Sequence, residues 1–168
     1  MLNCIQSNRI TVPMKLSPPP PVLDSARVVA YAYVDDIAYR RCGKLFVDGI
    51  LLEKVPRLAV ALNLGMDLGA MLLHCDSDWN VLGVSGTPTV AATKTKAEEN
   101  YPGVGARWID IDTSVDAALA FYDAQHNNAK CSFCGKRPFE VESLVKGHGA
   151  NICERCIDQF HGELHKPD

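Results

Sequence analysis

The sequence predicts an α+β protein: a small, mostly antiparallel sheet with two helices, followed by a C-terminal zinc module. Three observations carry that expectation. Runs rich in β-branched, aromatic and aliphatic residues at 27–34, 57–64, 71–75 and 81–84 are separated by polar turns. Two stretches with helical periodicity follow, beginning near Thr87 and Thr113. Four of the seven cysteines then fall within 26 residues as two Cys-x-x-Cys pairs.

A chain of 168 residues suits one modest domain with a small appendage. It is too short for an AAA+ motor, a polymerase or a two-domain dehydrogenase. With 47% hydrophobic and 22% charged residues it can bury a core. Its net charge of -3 gives no broad positive field for nucleic acid, so no nucleic-acid partner is expected. No apolar run approaches a membrane span. Met1–Leu16 carries no secretory pattern, so a reducing, cytoplasmic setting is expected.

Residues 1–25 read as an extended or disordered proline-rich lead. Ser17-Pro18-Pro19-Pro20-Pro21 excludes helix and central strand, because proline lacks an N–H and fixes φ. Such a run is a spacer or, alternatively, a proline motif for a partner. Residues 26–125 read as the α+β domain. Arg27–Val34 is a central strand. Residues 44–52 form a hairpin around Asp48-Gly49, a pair that favours positive φ. Arg57–Leu64 is read as a strand, with a short helix ended by Gly65 as the other option. Met71–Cys75 and Val81–Val84 flank a polar turn at 76–80. Thr87 is the expected N-cap and Pro88 the first residue of a helix facing inward with Val90, Ala91, Ala97 and Tyr101 and stopped by Pro102-Gly103. A short strand at 107–111 follows. Thr113-Ser-Val-Asp116 then opens a second helix with Val115, Ala118, Leu119 and Tyr122 on one face.

Residues 130–168 form the zinc module. Cys131, Cys134, Cys153 and Cys156 are its expected ligands: each Cys-x-x-Cys turn presents two sulfurs to one ion, and two turns complete a tetrahedron. Four sulfurs close the sphere, so one structural Zn2+ is expected rather than a catalytic one. A redox dithiol is the competing reading of a single pair. His148, His161 and His165 are nearby alternatives, as substitutes for a thiolate or as ligands of a second ion. Gly135 lets the chain turn sharply after the first pair. Glu140–Lys146 is read as a short helix or a strand. A segment of this size cannot fold on apolar burial alone.

These residues carry a resemblance. Cys131-Ser-Phe-Cys-Gly-Lys136, Glu140-Val141, Leu144-Val145, Gly147 and Ile152-Cys-x-x-Cys-Ile157 resemble the C4 zinc-binding domain of ClpX, the AAA+ unfoldase of the ClpXP protease. The resemblance implies a treble-clef-like zinc fold that dimerises and binds adaptors and some substrates. It assigns the four cysteines as ligands, and places Phe133, Val141, Leu144, Val145 and Ile157 in a core or dimer surface. The sequence departs from the family in three ways. The module ends the chain, no phosphate-binding loop G-x-x-x-x-G-K-[ST] occurs, and Asn151 stands where the family often has an aromatic residue.

The function expected is that of a non-enzymatic, zinc-binding protein-interaction protein, with a zinc module for homodimerisation and recognition of partner or unfolded protein, linked to Clp machinery as adaptor or regulator. The alternative is an immunity or antitoxin-type inhibitor of one partner. An enzyme using His74, Cys75, Asp76 or Asp78 is a third reading. Other motifs are discounted. Tyr33-Val34-Asp35-Asp36 mimics a polymerase motif in too short a chain. Gly103-Val-Gly105 lacks the third glycine and the strand–helix order of a dinucleotide site. Gly83-Val-Ser85-Gly86 lacks the second glycine of a nucleophile elbow. Trp79 and Trp108 are read as core anchors. No catalytic or other cofactor-binding residue is assigned.

Overall fold

The computed structural model describes residues 16–40, 46–65 and 67–166. Cys4, Cys42 and the first residues of the expected hairpin lie outside them. The main sheet contains β1 (Val22–Leu23), β2 (Ala26–Tyr33), β5 (Arg57–Asn63), β6 (Ala70–Cys75) and β7 (Val81–Thr87), in the order β1-β2-β5-β6-β7. Between β2 and β5 the short β3 (Phe46–Val47) and β4 (Ile50–Leu51) form a separate hairpin. Its turn residues Asp48 and Gly49 have φ 51° and 77°, as a two-residue hairpin turn requires. Helix α1 (Val90–Asn100) follows β7. A 3-10 turn and β8 (Ile109–Asp110) come next, with β8 pairing against β2, and then α2 (Val115–Gln125). Every pairing is antiparallel.

Alternation along the strands sends side chains to both faces, and both are covered. On one face Ala32, Val34, Leu58 and Leu72 pack against Ala97 and Tyr101 of α1 and against Val104. On the other, Val28, Tyr31, Ala59, Leu73, Cys75 and Trp79 form a second cluster. Two-sided burial explains why Arg57–Asn63 reads as a nearly continuous apolar run; it is the middle strand of the sheet, not a helix. The Tyr101 hydroxyl accepts the backbone N–H of Val55 at 2.9 Å, and both residues are buried. Tyr101→Phe therefore orphans that N–H, and urea unfolding is expected to show a loss of about 1–3 kcal/mol.

Two helix starts differ from expectation. Thr87 does not cap α1 but ends β7, paired with Ala70, and its hydroxyl bonds the Ala70 carbonyl at 3.3 Å. Pro88 disfavours helical geometry at the residue before it, so the cap moves to Thr89, whose hydroxyl accepts from Ala92 N. The inward face of α1 is then Thr93, Ala97 and Tyr101, and Ala91 is exposed. Ser114, not Thr113, caps α2 by accepting from Ala117 N. Ala118 and Tyr122 are buried and Val115 is half exposed. Asp76 holds the β6–β7 turn: its carboxylate accepts from the backbone N–H groups of Asp78 and Asn80.

Among the described residues no helix is long and apolar enough to cross a membrane. The sheet also takes in Val22–Leu23, paired with β2.

Candidate metal centre

The zinc module is built from a turn, a hairpin and a helix. Cys131-Ser-Phe-Cys134 forms the first turn, and Gly135 follows at φ 74°, so a glycine is required there. Its N–H returns to the Cys131 carbonyl at 2.9 Å. After a 3-10 turn at Pro138–Glu140, β9 (Leu144–Lys146) pairs with β10 (Asn151–Cys153). The hairpin delivers Cys153 directly to the N-terminus of α3 (Glu154–Leu164), where it is the N-cap residue, and Cys156 lies in the first helical turn. This turn–hairpin–helix order is that of a treble clef. The segment between the cysteine pairs is mostly hairpin, which settles the helix-or-strand choice left open for Glu140–Lys146.

The four ligand sulfurs all lie within 4.8 Å of one another. Cys131 Sγ and Cys156 Sγ are 3.7 Å apart, as are Cys134 Sγ and Cys153 Sγ. Zinc–sulfur bonds of about 2.3 Å arranged tetrahedrally require sulfur–sulfur edges of about 3.8 Å. A disulfide needs about 2.05 Å, so the sulfurs surround a common centre and are not bonded to one another. Three of the four cysteines are buried, with Cys134 exposed. Val141, Leu144, Ile152 and Phe160 pack around the three buried cysteines and limit water access to them.

The electrostatics call for a cation. Burial opposes ionisation of Cys131, but backbone N–H groups of Cys134, Phe133 and Cys153 outweigh it and hold this thiol at about 6. Burial first, and then the neighbouring sulfurs, push Cys156 up to about 12. The Cys131 thiolate forms readily, while Cys134 and Cys156 resist. A divalent ion at the centre removes that conflict, and metal binding then displaces thiol protons. The donor set of four sulfurs fits Zn2+ and leaves no open position for water or substrate.

Among the described residues this is the only cluster of metal-ligating side chains. His148, His161 and His165 do not join it; the rings of His161 and His165 meet at a tilt of 54° at the end of α3, 4.5 Å between ring centres. Asn151 has a structural part in the module. Its Nδ2 donates to the Lys130 carbonyl, while Ser132 Oγ accepts the Asn151 N–H. These bonds stitch the hairpin to the first cysteine turn. The five residues that the resemblance placed in a core or dimer surface divide. Val141 and Leu144 pack on the cysteines, whereas Phe133, Val145 and Ile157 are 58%, 54% and 41% exposed.

Sequence reasoning missed the contact between this module and the rest of the chain. Asp123, at the end of α2 and 8% exposed, takes Arg137 Nε on one oxygen at 2.8 Å and Lys130 Nζ on the other at 2.7 Å. The Arg137 hydrogen bonds, with help from Lys130, pull its carboxyl down to about 2 despite burial. Phe139 packs edge-on against Tyr122, 4.8 Å between ring centres, and covers Gly65, where an added Cβ would lie 2.6 Å from its ring. The only sequence signal was the absence of a side chain at Gly65.

The residues considered for a thiol enzyme do not converge. His74 and Cys75 are consecutive in β6, so their side chains point to opposite faces of the sheet. Burial pushes the Cys75 thiol up to about 12, and Asp76 and Asp24 add to this. Burial, reinforced by Lys96, brings His74 down to about 4. Trp79 is a core residue at 4% exposure, and Trp108 packs partly buried against the α1 cluster. Asp36 pairs with Arg107 at the surface.

No solved structure matches the chain. In the family comparison, residues 129–165 match the ClpX C4-type zinc finger, and within that match Cys131, Cys134, Cys153 and Cys156 are positioned to bind one zinc ion.

Proposed function

We propose that the protein is a non-enzymatic interaction protein in which bound zinc organises the C-terminal finger into a docking surface for partner or unfolded protein and for a second copy of the chain. The observation that supports this reading is the exposure of Phe133, Val145 and Ile157 on a module whose metal sphere is closed. A closed sphere offers no chemistry, while apolar side chains left in water favour association. The finger's likeness to that of ClpX supports a role as adaptor or regulator alongside Clp machinery, in a reducing cytoplasm where the thiols stay available to the metal.

Sedimentation of the zinc-loaded chain tests the dimer. A dimer in the range of tens of micromolar is expected, reduced to monomer by Phe133→Glu or Val145→Glu with zinc content unchanged; a wild-type monomer throughout that range ends the dimer reading. Affinity purification from the native host tests the partner. Recovery of Clp components, lost on the same substitutions, supports the adaptor role. One dominant partner enzyme, retained by those variants, favours the inhibitor reading.

A further inference from the structure

The second place where the chain is built to receive another segment is on the sheet, far from the metal in sequence and independent of it. Tyr31, Tyr33 and Trp79 form an aromatic trio: Tyr31 meets each of the other two edge-on at 5.6 Å, and Tyr33 and Trp79 lie 6.0 Å apart. Beneath it the Arg57 guanidinium sits 5.1 Å from the Trp79 ring and 5.6 Å from the Tyr33 ring. Arg57 is 5% exposed, and its Nη1 has no hydrogen-bond partner.

The lead meets this trio at the start of its proline run. Tyr33 Oη and Trp79 Nε1 both donate to one carbonyl, that of Ser17, at 2.9 Å each. Four residues on, the Pro21 carbonyl accepts from Val28 N at 3.0 Å. Between these anchors Pro19 is buried, whereas Ser17 and Pro18 are exposed. Proline suits such a seat. It brings no N–H that needs a partner, its φ is fixed before binding, and its ring packs on aromatic faces while its carbonyls take donors from tryptophan and tyrosine. The groove supplies those donors and asks for no side-chain polar group in return, so what it recognises is proline-rich backbone and not one particular sequence. Beyond Ser17 the surface continues into an open cavity of about 410 Å³ lined by Leu16, Tyr33, Asp35, Asp36 and Arg107.

We infer that the Tyr31–Tyr33–Trp79 face is a groove for proline-rich extended chain, filled here by the protein's own Ser17–Pro21, and that a proline-rich segment of a partner protein binds by displacing it. The lead is then an internal competitor. A tethered segment acts at an effective concentration on the order of millimolar, so partner segments compete at a disadvantage until the lead is drawn away.

The test uses the full chain with 15N-labelled indoles. The Trp79 signal reports the groove, and Trp108, whose Nε1 makes no hydrogen bond, is the reference. Pro19→Glu places a charge at the buried seat and expels the lead. A synthetic peptide of residues 15–22 (KLSPPPPV) is then titrated. Saturable binding to the variant is expected, returning the Trp79 signal to its wild-type position and leaving Trp108 unmoved, with at least about tenfold weaker binding to the wild-type chain. A peptide with alanine at all four prolines should fail. The proposal is overturned if the folded variant shows no saturation at about millimolar peptide, or if the alanine peptide binds equally well. Should Pro19→Glu not fold, the wild-type chain is titrated with a large excess of the peptide carrying a nitroxide spin label at its N-terminus: selective broadening of the Trp79 signal supports the groove, and its absence overturns it. A wild-type dimer in sedimentation that Pro19→Glu converts to monomer would assign the groove to the lead of a second copy and overturn the partner reading.

Discussion

Cys153→Ser is expected to abolish zinc binding and unfold the finger while the sheet stays folded. Serine keeps its proton at neutral pH, so the fourth anionic donor is lost. The residue is also the N-cap of α3, and Cys156 lies one turn further on, so the metal and the helix start share the same few atoms. Helix α3 has 11 residues, a length at which an isolated helix in water is marginal. Zinc contributes roughly 10–16 kcal/mol in modules of this kind, more than the small apolar shell of Val141, Leu144, Ile152 and Phe160 can replace. Metal analysis should fall from one zinc per chain to none. Helical circular dichroism should drop by the share of α3, and the same drop should follow chelation of the wild-type chain. The Trp79 indole signal should not move. A variant that keeps its zinc and its helicity would remove the basis for a metal-organised finger.

Asp123→Ala is expected to release the finger from the sheet domain without releasing the metal. The carboxylate is buried, and its loss leaves Lys130 and Arg137 without their shared anion, Arg137 keeping only Glu140 at 3.7 Å. Breaking a buried pair in this way costs about 3 kcal/mol. The carboxyl held at about 2 in the folded chain reflects these same contacts. The sign follows from the depression: the stabilisation is complete above the unfolded pKa of about 4 and is lost as pH falls through about 2. Thiolate protonation releases zinc before that range is reached, so the clamp is best read at neutral pH by substitution. Protease cleavage at 126–130 should accelerate in the variant and zinc stoichiometry should hold. Unchanged cleavage would mean that the Phe139–Gly65 contact alone docks the finger.

Both predictions bear on how the chain works. The finger's exposed Phe133, Val145 and Ile157 lie outside the Asp123 clamp, so docking to the sheet domain leaves them in water for a partner. The proline groove lies on the sheet. A partner that carries both an apolar surface and a proline-rich segment could engage the two sites together, with the gain in affinity that linkage brings.

The cysteine spacing pointed to the metal centre, because each Cys-x-x-Cys turn places its own two sulfurs, while the joining of the two pairs was supplied by the hairpin. The strands and the Asp48-Gly49 turn were legible for the same reason, since alternation and positive φ are properties of a few consecutive residues. What only the tertiary structure decided are the pairings between residues distant in the chain. Thr87 looked like a cap until Ala70 claimed it for the ladder; Val115 matched the helical period but had no surface to face. Asp123 with Arg137, Phe139 over Gly65, and Ser17 under Tyr33 and Trp79 leave no periodic trace, because complementarity between two surfaces is written on both at once and becomes visible only when the fold brings them together.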